Sequence, residues 1–363
     1  MGYRHTAAVL LQRNRHEPFT VLQQKAPFAP ARENESVRDT VLMDESPAVG
    51  MGSGEDAAID MRRLLVIHNP TAGGRRARRL RAVVARLEAR GIGVTVRPTG
   101  RRGDAEAFAR AADPAEVDAV VAAGGDGTIN EVINGLAAHA EAGRPLPLGI
   151  VPMGTANVLA AELGLTMDAE RIATAIASGR RTMIWPAQAN GRVFSLMAGV
   201  GLDARVVERV DPRVKRLIGK GAYVAETLVQ LATRPDHRYR VTLDNGDGWG
   251  EPQEVASVIV AKGHFYGGRF ICAPDARLTE PELHVCLFPR GGRLNALRYV
   301  WGVTAGRLAR FPDYRVVTAR RVRIEGPAGD GLFADAVQGD GDVLARLPVE
   351  IALAGWRLPV LAG

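Results

Sequence analysis

Five consecutive residues, Gly124-Gly125-Asp126-Gly127-Thr128, carry the strongest chemical signal in the chain. They lie between an apolar run at 117–122 that predicts a strand and a helical pattern starting near Ile129. Adjacent glycines let a backbone approach a phosphate closely, and the first turn of the following helix offers amides with no partner of their own. Thr128 adds a hydroxyl. Asp126 would repel a bare phosphate, so it suits a metal ion or a hydroxyl beside one. The plain alternative is a glycine-rich turn in which Asp126 caps the helix. Three more loops combine glycine or threonine with hydrogen-bonding side chains. They are Asn69-Pro70-Thr71-Ala72-Gly73-Gly74, Thr99, and Pro152-Met153-Gly154-Thr155-Ala156-Asn157. Ordinary turn chemistry in all four is the competing reading.

The elements that would hold these loops follow from periodicity. Short apolar runs at 64–67, 94–97, 117–122 and 148–151 alternate with helical patterns at 75–89, from 104, at 129–138 and from 156. The first helix sets Leu80, Val83, Val84 and Leu87 on one face. Strand and helix alternating four times predicts a parallel sheet covered on both faces, with ligands at the carboxyl ends of its strands. Beyond residue 182 the pattern becomes short runs between Gly and Pro, at 193–197, 239–243, 255–260, 283–288, 315–324 and 349–353. These predict antiparallel strands of a β-sandwich, with one helix at 214–232. A cleft between the two domains is the natural site. Residues 1–60 show no sustained period and read as an unstructured extension, with Met61 directly before the first strand as an alternative start.

The chain has 363 residues, 46% of them hydrophobic and 24% charged, which excludes wholesale disorder. Cys272 and Cys286 are too few for a disulfide framework. No apolar run approaches the length of a membrane helix, and Arg13 and Arg15 follow the short stretch at 7–11, so a cytoplasmic protein is expected. The net charge of +7 hides an acidic first 60 residues. The rest is strongly basic and suits an anionic partner. With 5% aromatic residues and no nucleic-acid motif, nucleic acid is not that partner. An anionic membrane surface is, through Arg75, Arg76, Arg78, Arg79 and Arg81 or through Arg205, Arg209, Arg213, Lys215 and Arg216. A solvated helix face competes for the first cluster. Val214, Leu217, Ile218 and Tyr223, interleaved with the second, favour a membrane there. His68 and His264 read as structural.

Several segments together resemble the diacylglycerol kinase catalytic-domain family, which includes sphingosine and ceramide kinases and bacterial lipid kinases. They are HNPTAGG at 68–74, AAGGDGTINEVINGL at 122–136, PMGTANVLAAELG at 152–164, MAGVGLDARVV at 197–207, FYGGRFICAPDA at 265–276 and GDGD at 339–342. NAD kinases share the GGDGT segment, but the ordered set with the GTAN loop is specific to the lipid-kinase branch. The resemblance implies an α/β N-terminal domain with a parallel sheet of the NAD kinase and phosphofructokinase kind, at 61–181. It implies a β-rich lipid-substrate domain at 182–363, its last residues packing back on the first.

The resemblance also implies an ATP- and Mg²⁺-dependent kinase that phosphorylates diacylglycerol or a related lipid alcohol at the inner face of the membrane, and it leaves room for a homodimer. It places nucleotide at Asn69, Gly73, Thr99, Gly124, Gly125, Asp126, Gly127, Thr128, Asn130, Glu131, Gly154 and Thr155. Asp340 takes the place of the family's general base, with Asp126 and Asp342 beside it. A lipid hydroxyl is a poor nucleophile, so a carboxylate acceptor for its proton is what the chemistry needs. Taken alone, residues 339–342 are also an ordinary β-turn.

The chain departs from the family pattern in three places. Asp342 replaces the second acid, a glutamate; Trp185 replaces an aspartate; and Glu280-Pro281-Glu282 stands where relatives bind a structural Mg²⁺ at Asp-Gly-Leu. Oxygens of Arg277, Glu280 and Glu282 are the expected donors to that ion. A soluble-substrate kinase of the NAD kinase type and a non-catalytic nucleotide-sensing module that docks on membranes are the alternative readings.

Overall fold

In β1 (Arg63–His68), Leu64 and Val66 face one way and Leu65 and Ile67 the other, and all four are buried. A strand apolar on both sides needs cover on both faces, and helices supply it. The computed structural model describes residues 58–70, 74–201, 237–266, 268, 270–326 and 335–362. All of them belong to one compact unit, residues 54–363. The extension at 1–57 and the sequence-predicted helix at 214–232, with its basic cluster, lie outside the described residues. Ile59 already donates its amide to the Gly179 carbonyl at 3.1 Å, and Met61 is buried.

After β1 come α1 (Gly74–Glu88), β2 (Gly93–Pro98), α2 (Asp104–Arg110), β3 (Ala119–Gly124), α3 (Asp126–Glu141), β4 (Leu148–Pro152), α4 (Val158–Glu162), α5 (Ala169–Ala177) and β5 (Arg181–Ile184). Leu64, Val66 and Val121 pack under Leu80, Val83 and Leu87 of α1 and Ile172 and Ile176 of α5. On the other face Leu65, Ile67, Val120 and Ala122 meet Ile129, Val132, Ile133 and Leu136 of α3. The strand order begins β2-β1-β3-β4, all parallel, so the connections diverge between β1 and β3. A crevice opens at the carboxyl ends of such a pair, here at Asn69 and Gly124.

The second half contains β6 (Ala187–Ala189), β7 (Arg192–Phe194), β8 (Met197–Val200), β9 (Tyr239–Asp244), β10 (Gln253–Val255), β11 (Ser257–Ala261), β12 (Phe265–Tyr266), β13 (Phe270–Ile271) and β14 (Leu283–Phe288). Then follow α6 (Arg293–Thr304), β15 (Arg315–Ala319), β16 (Arg321–Glu325), β17 (Ala336–Gly339), β18 (Asp342–Arg346), β19 (Val349–Leu353) and β20 (Leu358–Leu361). Two antiparallel sheets, β10-β9-β16-β19-β6-β7 and β15-β14-β11-β8-β17-β18, enclose a core that includes Phe194, Val258, Val285, Val322, Val337 and Ile351.

Three runs expected as single strands are pairs. The runs at 193–197, 255–260 and 315–324 each break, at Ser195-Leu196, Ala256 and Arg320, and each half joins a different sheet. A strand passing from one layer of a sandwich to the other must bend, and periodicity does not mark the bend. The last strand, β20, leaves the sandwich. It runs parallel to β4 and antiparallel to β5, completing the first sheet as β2-β1-β3-β4-β20-β5. The expected boundary at residue 181 therefore falls at the start of a strand of that sheet.

Candidate active site

The GGDGT residues are the end of a strand and the opening of a helix with no loop between. β3 ends at Gly124 and α3 begins at Asp126, three residues earlier than periodicity places it. Glycine is required by contact at Gly124, where a Cβ would lie 2.4 Å from Thr128 Cβ. It is required again at Gly154, where a Cβ would lie 2.7 Å from Gly125 Cα. Two of the predicted phosphate loops thus meet backbone to backbone. Arg79 of α1 braces the second by donating to the Pro152 carbonyl at 2.7 Å.

In front of them is a cleft of about 320 Å³ lined by Asn69, Thr99, Gly127, Thr128, Glu131 and Asp342, all named from sequence, with Gly100, Arg101, Arg102 and Ala105. Asn69 Nδ2 donates to Thr128 Oγ1 at 3.4 Å, tying the end of β1 to the first turn of α3. Thr99 is held by its amide and hydroxyl on the His68 carbonyl. Glu131 Oε2 accepts the Ala105 amide at the start of α2. Arg102 faces Asp342 Oδ1 at 3.3 Å. Two cations, backbone amides and hydroxyls in one cleft are the donors a polyphosphate needs. Thr155 is exposed beside the cleft, and Gly73 lies outside the described residues.

Behind the cleft stands Asp340. It occupies the hairpin turn between β17 and β18, with φ +51° at Asp340 and +90° at Gly341. Positive φ at both central positions is the turn that suits strand twist, and Asp-Gly is a favoured pair for it. So the turn expected as the bland alternative and the carboxylate of chemical interest are the same feature. The side chain reaches into the bend between β7 and β8. Its Oδ1 accepts the amides of Leu196 (3.0 Å) and Met197 (3.1 Å). Its Oδ2 accepts the Ser195 amide (2.7 Å), the Ser195 hydroxyl (3.0 Å) and Asn130 Nδ2 (3.2 Å). A strand that changes sheets leaves consecutive amides unpaired, and here one carboxylate takes all three. Burial pushes the Asp340 pKa up, opposed by these donors.

Asp126, the first residue of α3, accepts the Val158 amide on Oδ1 at 2.7 Å, which joins it to the start of α4. Its pKa is raised, first by burial and then by the negative charge of Asp340. Asp342 completes the acidic group, its Oδ2 lying 3.5 Å from where a Cβ on Gly127 would be.

Sequence reasoning missed the partners that hold this arrangement. Asn134, one turn after Asn130 on α3, donates to the Val193 carbonyl at 2.9 Å and accepts its amide at 3.0 Å. Both lie inside the INEVING segment, where their i, i+4 spacing was the available signal. Arg101 and Arg102 follow Thr99 after a single glycine and were equally visible. Ser195–Met197 act through the backbone, which no residue type announces. His264 is structural as expected, its Nδ1 2.8 Å from Glu162 Oε2, a buried carboxylate whose pKa burial raises. Trp185 donates its amide to the Leu278 carbonyl at 2.8 Å.

The three expected metal donors do converge, but on a side chain. The carbonyls of Arg277 (3.3 Å), Glu280 (2.5 Å) and Glu282 (2.8 Å) accept from the ammonium of Lys262.

Comparison with known proteins agrees with this architecture. The family model for the diacylglycerol kinase catalytic domain matches residues 63–188. The model for the YegS C-terminal NAD kinase beta sandwich-like domain matches residues 197–362. A Pectobacterium atrosepticum protein called "Probable lipid kinase YegS-like" is 30% identical over 239 residues, covering 66% of this chain and 78% of that protein. A diacylglycerol kinase of Bacillus subtilis is 29% identical over 266 residues, 73% of this chain and 86% of the relative. One of Mycobacterium tuberculosis is 28% identical over 321 residues, 86% and 98% of the two chains. The crystal structure of a diacylglycerol kinase from Bacillus anthracis shares the fold, with a TM-score of 0.65 at 24% identity over 83% of this chain and 97% of that one. With its two halves matched in order and these relatives covered over most of their length, the chain belongs to the diacylglycerol kinase catalytic-domain family of lipid kinases.

Proposed function

We propose that the protein transfers the γ-phosphoryl group of ATP to the hydroxyl of diacylglycerol or a related lipid alcohol. The observation that carries this reading is the convergence of three strand-end loops, two arginines and Asp342 on one cleft within a lipid-kinase fold, with Asp340 behind it and Asp126 opening the helix that bounds it. In the reaction the lipid oxygen bonds to the γ-phosphorus, the bond from that phosphorus to the β–γ bridging oxygen breaks, and ADP leaves. Arg101, Arg102 and the first amides of α3 bind and orient the phosphates. The oxygen donors on the cleft, Asp342, Glu131, Asn69 and Thr128, suit the Mg²⁺ that accompanies ATP. When bound, that ion neutralises phosphate charge.

The hydroxyl proton needs an acceptor, and the two aspartates differ. Asp340 was the expectation, yet five donors already engage its oxygens. These donors oppose the rise that burial gives its pKa, and they hold the carboxylate in one orientation with no oxygen turned to an incoming hydroxyl. Asp126, also raised in pKa by burial and by the charge of Asp340 against the amides of Asn157, Val158 and Leu159, carries neither the hydroxyl nor the side-chain amide that engage Asp340. We therefore assign proton acceptance to Asp126 and electrostatic support to Asp340, which also locks the sandwich onto α3 through Asn130.

Labelled γ-phosphate transfer to diacylglycerol, monoacylglycerol, ceramide and sphingosine in mixed micelles, with NAD as a soluble control, tests the proposal. Asp126→Asn is expected to cut turnover roughly 10²–10⁴-fold while ATP still binds. Asp340→Asn is expected to lower turnover and loosen nucleotide binding together. Transfer to NAD alone, or ATP bound with no transfer to any lipid, would refute the reading.

A further inference from the structure

Lys262 is completely buried, 0% exposed. A lysine is almost never buried so fully unless its charge is met. Its three ammonium protons face three backbone carbonyls, those of Arg277, Glu280 and Glu282, one each. Three carbonyls can only accept, so all three are met at once only by the ammonium form. The carbonyls of Arg277 and Glu282 lie at hydrogen-bond distances, 3.3 and 2.8 Å, and that of Glu280 closer still. Mg²⁺ asks for six oxygens at about 2.0–2.1 Å. A divalent ion on the same carbonyls would compete for lone pairs already in use and meet a positive charge in the cradle. The residues present therefore do not fit the structural Mg²⁺ that the family resemblance implies.

We propose that the Lys262 ammonium is the resident cation of the loop at 276–282, so that this part of the fold is independent of dissolved metal. The consequence reaches the site. The amides of Lys262 and Gly263 both donate to the Leu196 carbonyl, at 2.7 and 3.1 Å. The Leu196 amide in turn holds Asp340 Oδ1. Lys262 is thus a positioning residue, one peptide removed from the clamp on Asp340.

The test uses the nucleotide-free full chain, where no ATP-bound Mg²⁺ intervenes. The wild type is expected to unfold at the same temperature in EDTA and in millimolar MgCl₂, and to carry no stoichiometric divalent metal after desalting. Lys262→Ala is expected to lower the midpoint in EDTA by several degrees. One divalent ion per wild-type chain, lost when Glu280 and Glu282 become Gln, would overturn the proposal. It would mean that the side chains of Glu280, Glu282 and His284, whose ligand atoms lie within 4.8 Å of one another, hold a metal after all. A Lys262→Ala midpoint unchanged in EDTA would overturn it too. If that variant does not fold, the wild-type metal content alone decides.

A second, independent observation concerns α6. Among the described residues seven large apolar side chains are exposed, and four of them, Ile271, Leu294 (83%), Leu297 and Trp301 (51%), sit on α6 and on β13, which packs against it. The three on α6 recur at i, i+3 and i+7, one stripe of a helix. From Pro289 to Phe311 the chain has five arginines and no acidic residue. Arg307 lies over the Trp301 ring, 5.6 Å from its centroid. Asp313 pairs with Arg298 and Arg290 and leaves the surround net cationic; an apolar stripe with an interfacial tryptophan in that surround is complementary to one kind of partner, an anionic bilayer.

We infer that α6 docks the protein on such a bilayer. Sedimentation without nucleotide, on vesicles of phosphatidylglycerol and phosphatidylcholine, is expected to capture the wild type, less so at high salt. The double variant Leu294→Glu, Leu297→Glu is expected to bind at least about tenfold less with an unchanged thermal midpoint, since exposed positions tolerate change. Undiminished vesicle binding by the variant would overturn the inference. So would a wild-type dimer that the variant dissolves while vesicle binding persists. Because no ATP is present, failure here leaves the kinase reading standing.

Discussion

Asp126 and Asp340 show how two like side chains part in role through their surroundings. Both are desolvated and both take backbone amides, but Asp340 also accepts the Ser195 hydroxyl and Asn130 Nδ2. Because the folded pKa of Asp126 is raised, its contribution to stability is full below the unfolded carboxylate value and is lost as pH rises through the folded one. An asparagine in its place would stay neutral at every pH and keep the bond from Val158. Asp126→Asn is therefore expected to raise the unfolding temperature at neutral pH, with the gain shrinking toward acid, as a pH series of thermal melts would show. Wild-type turnover is expected to fall on the acid side at a higher pH than an ordinary carboxylate would give. At this scale the sequence was generous with side chains and silent on backbone. Gly124, Thr128, Asn130 and Asp340 were legible because their types are unusual in their places. The amides of Ser195, Leu196 and Met197 were not, because any residue carries one.

Among the elements, α3 does the most to join the halves of the site. Its first turn carries Asp126 and Thr128, its second Asn130, and its third Asn134, which engages both backbone groups of Val193 in β7. Asn134→Ala would take the partner from the buried Val193 amide, while the Val193 carbonyl keeps Asn130 Nδ2, at a cost of about 1–3 kcal/mol. Chemical denaturation is expected to show that loss, and the variant should still bind nucleotide because Asn134 does not line the cleft. The parallel strands were readable because 119–124 and 148–152 are apolar throughout, as strands covered on both faces must be. The sandwich was readable in outline only. Each bend between its layers, and α6 with its exposed apolar stripe, runs against the simple rule that apolar faces point inward.

Taken whole, the protein is held together by an exchange of strands. β5 and β20 both belong to the first sheet, although the sandwich lies between them in the chain. Val360 and Leu358 are fully buried there. Calorimetry is expected to show the two halves of the described unit melting as one transition. Ending the chain at residue 354 is expected to abolish that transition, because β4 and β5 would both lose their neighbour. Two separate transitions in the intact protein would show that the exchanged strands do not couple the halves.

The same strand sets an order on manufacture. A ribosome releases β5 about 170 residues before it reaches β20. At roughly 5–20 residues per second, the sheet that carries the phosphate loops waits on the order of 10–30 s with a gap between β4 and β5. Until the last strand emerges, both bordering strands offer unpaired edges to any other extended chain. A chain broken off anywhere before residue 358 never closes that gap. Incomplete copies are thus marked by an open edge, and only full-length synthesis seals the nucleotide-binding half.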